Sequence, residues 1–431
     1  MSRVLYNALI ALAFAAPAAA ELPTWDAEFT AVNSAQVELG QLLFYDPILS
    51  GNKEVACATC HHPKHATADG VSLGIGDGGI GLGPERVADP NNPPEQRIPR
   101  NSPALFNLGA TEFTVFFHDG RLEQRPDGTL RTPLGAEMES GFASALSAQT
   151  MFPVLSPDEM AGHYGENEIS QAVRQGLITG PGGAWDLLSQ RIEAIPEYRA
   201  RFDAVIGPEP IHFTDISDAI AAFVDFEWRA VNSPFDAHLR RGTPLPEAAT
   251  RGMELFYGEA GCASCHAGVL QTDHSFHAIA MPQVGPGKAA RFERHAQDTG
   301  RMRVTGQAAD AYAFRTPSLR NVVHTAPYGH AGAYATLDAA IRHHLDPVGS
   351  LRAYDPSQLV MPEMQADDLR ATSDPAEINA IAAANRLASS TLSDPQIADI
   401  IAFLDTLTDP FSLQGALGEP ETVPSGLPVP R

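Results

Sequence analysis

The feature that most constrains this chain is a five-residue pattern that occurs twice, as Cys57-Ala-Thr-Cys60-His61 and as Cys262-Ala-Ser-Cys265-His266. The two units use all four cysteines. Thiols at this spacing match the two vinyl groups of heme, and the imidazole that follows can take the proximal side of the iron. A lone CxxC would also suit thiol redox chemistry or zinc. Two CxxCH units in an exported chain instead predict two covalently bound c-type hemes, and leave no thiol for a disulfide.

The segments ahead of the two motifs also repeat. "ELGQLLFYDPILSGNKEVACATCHH" and "TRGMELFYGEAGCASCHAG" each place a glycine before Leu-Phe-Tyr, at Leu43-Phe44-Tyr45 and Leu255-Phe256-Tyr257. A helix leading into a heme-binding turn is used twice. The first should start near Ser34, with Val37, Leu39, Leu42 and Leu43 on its apolar side. A second amphipathic helix, Phe213 to Trp228, carries Ile216, Ile220, Phe223 and Val224 at helical spacing, with Asp215 and Asp218 near its start, and should close the first lobe. "SDPQIADIIAFLDTL" offers Ser393 or Asp394 as cap, Pro395 in the first turn and Ile397, Ile400, Ile401 and Leu404 as a core stripe, closing the second lobe.

The expected fold is mainly α: two cytochrome c-like helical lobes, each with one covalent heme, joined by long Gly/Pro-rich loops at 70–103 and 281–288. The boundaries expected are 1–20, 21–240, 241–412 and a flexible Pro/Gly-rich tail, 413–431. "GIGDGG" (Gly74 to Gly79) fits the dinucleotide pattern GxGxxG, but it follows no strand and opens no helix, and reads as a flexible loop beside the first heme.

"MSRVLYNALIALAFAAPAAA" has Arg3, a short apolar run and small residues up to Ala20, as a secretory signal does. Export to the periplasm follows, with no membrane span elsewhere. With 29 Lys+Arg against 52 Asp+Glu the formal charge is −23. That argues against nucleic acid and suits a basic protein partner.

Taken in order, "LGQLLFYDPILSG" with "CATCH", "RNSPALFN" (Arg100 to Asn107), "FFHDGR" (Phe116 to Arg121), "NSPFDAHL" (Asn232 to Leu239), "GCASCH" and "FRTPSLRNVVHTAPYGHAGAYATLDAAI" (Phe314 to Ile341) resemble the bacterial di-heme cytochrome c peroxidase family, including its MauG branch. The resemblance runs from about Val37 to Leu407. It implies an enzyme whose N-terminal heme, with His61 as proximal ligand, reacts with hydrogen peroxide. The C-terminal heme, with His266, would relay electrons from a small cytochrome c or cupredoxin. The alternatives are a MauG-like oxidation of a partner protein and a di-heme carrier without catalysis. A homodimer is compatible with each.

The family's pocket pairs a Gln with a Glu-Met ten residues on. "AQTMFPVLSPDEM" carries this over to Gln149 and Glu159, with Glu137 as fallback. One carboxyl group can take a proton from one peroxide oxygen and deliver it to the other. Relatives often carry a distal histidine on the loop after the first CxxCH. Ile75 stands there, which implies an open first heme; His62 and His65 are poorer candidates. His118 stands where relatives have an inter-heme Trp, and Trp25, Trp185 and Trp228 lie elsewhere in sequence. The resemblance implies a calcium ion between the lobes, on the Asn101 side chain and the carbonyls of Thr325 and Pro327. It also puts the distal ligand of the second heme fourteen residues after His330, at His344. Neighbours on a helix point about 100° apart, so His343 should face elsewhere.

Overall fold

The computed structural model describes residues 20–24, 26–288 and 295–431. The expected signal segment up to residue 19, and Trp25, lie outside them.

Asn33 caps the first long helix, Ser34–Tyr45, by accepting from the backbone N–H of Ala35 and Gln36. Val37, Leu39, Leu43, Phe44 and Tyr45 are buried on it, and Leu42 is partly so. The helix crosses Phe213–Glu227 where Gly40 meets Ala219, so closely that a Cβ on Gly40 would run into the Ala219 carbonyl. Phe44 packs at 5.3 Å from Phe223 and 5.1 Å from Trp228.

The second unit repeats the device. Helix Glu247–Tyr257 crosses Asp394–Asp405 at Gly252, where a Cβ would strike the Asp399 carbonyl, and Phe256 sits 5.2 Å from Phe403. Ser393 caps the latter helix in a capping box with Gln396, and Ile397, Ile400 and Leu404 are buried while Ile401 is partly so. The glycine that recurs before each Leu-Phe-Tyr is therefore a crossing point, where the absent side chain lets two backbones touch.

The largest cluster of buried apolar residues runs from Val37 to Ala230 and takes in Val269, Leu270 and Val423, a second runs from Phe235 to Leu407, and two smaller ones centre on Tyr334 and on Leu351. Along the chain, Ala230 belongs to the first of these clusters and Phe235 to the second. The Phe235 N–H donates to the Thr406 carbonyl and its ring packs edge-on to Phe403 at 5.1 Å, so helix Pro234–Arg241 belongs with the second unit. Strands are short: Gly79–Ile80 with Val87–Ala88, Val115–Phe116 with Leu122–Gln124 and Leu130–Arg131, and Phe276–His277 with Phe314–Arg315, all antiparallel. Among the described residues no helix is long and apolar enough to cross a membrane.

The tail is not a free end, contrary to the expectation from its composition. Val423 is buried and Leu427 and Val429 pack against the first cluster. Asp46 accepts from the Ser425 hydroxyl at 2.6 Å, and Glu227 accepts from the N–H groups of Leu417 and Gly418, both at 2.8 Å. Proline and glycine forbid a helix here, but two buried carboxylates from the first unit fix the strap by its backbone.

Candidate heme and peroxide site

Both CxxCH motifs begin at a helical turn, Cys57–Cys60 and Cys262–Ser264, and no disulfide joins any of the four cysteines. His61 Nδ1 lies 3.0 Å from the Thr67 carbonyl, and His266 Nδ1 lies 3.1 Å from the Gln271 carbonyl. A carbonyl only accepts, so each Nδ1 carries the proton and each Nε2 keeps its lone pair for a metal. Burial lowers both imidazole pKa values, that of His266 to about 4, and holds the rings neutral, as ligands must be.

His344 has the same arrangement. It lies on helix Leu337–Leu345, started by Thr336, whose side chain accepts from the Ala339 N–H, and its Nδ1 donates to the Ala340 carbonyl at 2.8 Å. Its ring centre lies 6.5 Å from that of His266. Two imidazoles sharing one metal atom, with metal–nitrogen bonds of about 2 Å each, have ring centres about 6 Å apart. The donor set thus fits an iron atom between His266 and His344. His343 faces away, fully buried: its Nε2 lies 2.8 Å from the Ile279 carbonyl, which makes it the donor there, and its Nδ1 accepts from the Tyr334 hydroxyl at 2.9 Å.

Around the first motif no second histidine repeats this pattern. His62 is buried and spends Nδ1 on the Lys64 N–H, while its Nε2 stands 3.5 Å from Glu419 of the returning tail. The His65 ring lies over Gly83, where a Cβ would collide with it. Ile75 is 1 % exposed, in a loop held by bonds from Ile98 N–H to the Gly74 carbonyl and from Asp77 N–H to the Asp158 carbonyl. The glycines of this stretch serve close packing rather than flexibility.

Glu159 lies in the turn Pro157–Ala161, partly buried, beside the buried Met160. Burial raises its pKa above the usual carboxylate value, against the opposing charges of Lys288 and Arg121. Gln149, near the end of helix Ala145–Thr150, makes no side-chain hydrogen bond to it. Glu137 is exposed in the short turn Gly135–Glu137.

His118 lies at the seam between the two units. Its carbonyl accepts from Arg315 N–H at 2.8 Å, and burial followed by the charge of Arg100 depresses its pKa. Trp185 and Trp228 are buried in the first core, Trp185 donating to the Met151 carbonyl. Sequence reasoning missed what closes this seam: Arg100, buried, bonds Asp119 of the first unit and Asp298 of the second, each at 2.7 Å. Asn101 donates Nδ2 to the Val71 carbonyl at 2.8 Å, and its Oδ1 and the Thr325 and Pro327 carbonyls receive no protein donor among the described residues. Such unpaired oxygens are the donor type that calcium takes.

The chain is similar to known proteins over most of its length. Residues 34–243 match the family described as di-haem cytochrome c peroxidase. The methylamine utilization protein MauG of Methylorubrum extorquens is 30% identical over 314 residues, 72% of this chain and 68% of that one. Cytochrome c peroxidase Ccp of Escherichia coli is 31% identical over 314 residues, 72% of this chain and 53% of that one. A solved MauG-like protein associated with microbial copper homeostasis superposes with a TM-score of 0.56 at 25% identity, covering 95% of this chain and 97% of the other. The diheme peroxidase BthA of Burkholderia thailandensis shares the fold, with a TM-score of 0.59 at 22% identity over 89% and 88% of the two chains. With both heme motifs, the opposed imidazoles and relatives that span most of its length, the chain belongs to the di-haem cytochrome c peroxidase and MauG family.

Proposed function

We propose that this protein is a periplasmic di-heme peroxidase that reduces hydrogen peroxide to two molecules of water. It takes two protons from solvent and two electrons from a small cytochrome c or cupredoxin. The observation that carries the reading is an asymmetry: His266 is faced by a second imidazole with a free Nε2, whereas the family's distal position for the first motif falls on Ile75, which lines a small cavity with Cys60. A carrier needs both irons saturated; an enzyme needs one open side.

Cys57, Cys60 and His61 would hold a heme, which would supply the iron for peroxide reduction. Glu159 takes a proton from one peroxide oxygen and returns it to the departing oxygen. Burial favours its neutral form, against the charges of Lys288 and Arg121, which favour the charged one. Gln149 is assigned to the same pocket by family position alone. His118 stands between the hemes in place of an indole. The site for a calcium ion is Asn101 with the carbonyls of Thr325 and Pro327, next to the seam that Arg100 closes.

The second reading is a MauG-like oxidation of a partner protein, favoured by Ile75 and by the likeness to MauG. Steady-state peroxide consumption with reduced cytochrome c separates the two. Sustained turnover supports the peroxidase, while negligible turnover with oxidation of a partner protein overturns it. A resting spectrum with two six-coordinate low-spin hemes would remove both.

A further inference from the structure

Arg86 is 5% exposed and forms no ion pair among the described residues. Its guanidinium donates Nε to the Ile75 carbonyl at 2.6 Å, Nη2 to the Gly76 carbonyl at 2.6 Å and Nη1 to the Gly81 carbonyl at 2.7 Å. Asp77, Glu54 and Asp69 supply countercharge at longer range. A planar fork can serve three carbonyls at once, which a lysine ammonium on a flexible stem cannot do in fixed geometry. All three carbonyls belong to the loop 74–81 that carries Ile75.

That loop bears directly on the proposed acid–base residue. A Cβ built on Gly76 would stand 2.5 Å from the Glu159 carbonyl oxygen and 2.7 Å from Glu159 Cα. Asp77 N–H donates to the Asp158 carbonyl at 3.3 Å, and Gln96 holds the Asp158 carboxylate at 2.7 Å. On the far side Asn52 bridges Asp77, at 3.2 Å, and Glu166, at 2.7 Å. Displacing the loop therefore displaces the backbone from which the Glu159 carboxyl hangs.

We propose that Arg86 is a positioning residue for the peroxide reaction: by fixing loop 74–81 it holds the Glu159 backbone where its carboxyl can exchange a proton with bound peroxide. This rests on the reading of Glu159 as the acid–base group. Misplacing such a group by about 1 Å is enough to cost on the order of 100-fold in rate.

The test uses the holoprotein and four variants: Arg86→Gln, Arg86→Lys, Gly76→Ala and Glu159→Gln. Amide hydrogen exchange is followed in peptides spanning 74–81 and 157–162, alongside the second-order rate with hydrogen peroxide and its pH profile. Arg86→Gln should speed exchange in both segments by about tenfold or more, since charge-assisted bonds are lost. It should slow the peroxide rate by about tenfold to 100-fold and shift its acid limb, with the second heme's spectrum unchanged. Arg86→Lys should fall between it and the wild type. Gly76→Ala should slow the peroxide rate with the Arg86 guanidinium still present, and with Arg86→Lys it decides the matter if Arg86→Gln does not fold. Faster exchange at 74–81 with 157–162 and the rate unaltered overturns the proposal, as does an unaltered rate in Gly76→Ala. If Glu159→Gln reacts at the wild-type rate, the acid–base reading fails by itself, and exchange coupling between the segments still decides whether Arg86 sets the Glu159 backbone.

Discussion

His343 and His344 differ by one position and about 100° of rotation, so replacing each by alanine separates a packing role from a ligand role. His343→Ala removes a fully buried ring and orphans two groups, the Tyr334 hydroxyl and the Ile279 carbonyl. An unsatisfied buried polar group costs about 1–3 kcal/mol, so the two together predict about 2–6 kcal/mol of lost stability. His344→Ala loses one bond to the Ala340 carbonyl, about 0.5–1.5 kcal/mol, but removes the imidazole facing His266. Urea unfolding and the spectrum of the resting ferric holoprotein read the two effects separately. The expected pattern is a destabilised His343→Ala that keeps a six-coordinate low-spin second heme, and a His344→Ala that is close to wild type in packing but loses that signature. A low-spin signal that vanishes in His343→Ala and survives in His344→Ala would refute the assignment.

Glu159→Gln should slow the peroxide reaction by about 100-fold to 10,000-fold, the range for a positioned acid–base group. In the wild type, burial raises the Glu159 pKa above the ordinary value of 4.5, and the carboxylate form is needed to take the first proton. The rate should therefore fall as pH drops through a value above 4.5; an acid limb at or below it in stopped-flow measurements contradicts this placement. Gly40→Ala and Gly252→Ala each force a methyl group into a neighbouring helix carbonyl and should cost about 1–3 kcal/mol by denaturant unfolding. An unaltered midpoint in either would mean the helices do not cross there.

The helices that carry the cores were legible because each states its own boundaries and its own buried face. Ser34–Tyr45, Phe213–Glu227 and Asp394–Asp405 stand where apolar spacing and capping residues put them. The tail was misread because composition reports what a segment cannot form locally. It says nothing of Asp46 and Glu227, which receive that segment from far away in sequence. The loop at Gly74–Gly79 was misread for the same reason: its order comes from Arg86 and Asp158, neither of which has a signature in the loop itself. Glu159 and Glu137, both followed by methionine, differ in burial, partly buried against exposed, and that difference is not written in the local sequence.

The amino-acid chain alone carries the two CxxCH units and the expectation of heme that they raise, because each unit is built from adjacent residues. It also determined the duplicated helix–turn unit and, through ordered motifs, the family. The tertiary structure set the ring of His344, the histidine the ordered motifs pointed to, against His266, and it alone showed what His343 holds. Only it showed Arg100 bonding Asp119 and Asp298 across the seam, and Arg86 bonding three loop carbonyls. Each of these depends on polar atoms brought together by long-range packing in a buried place, where a charge or donor must find a partner. Linear spacing does not encode which partner that is.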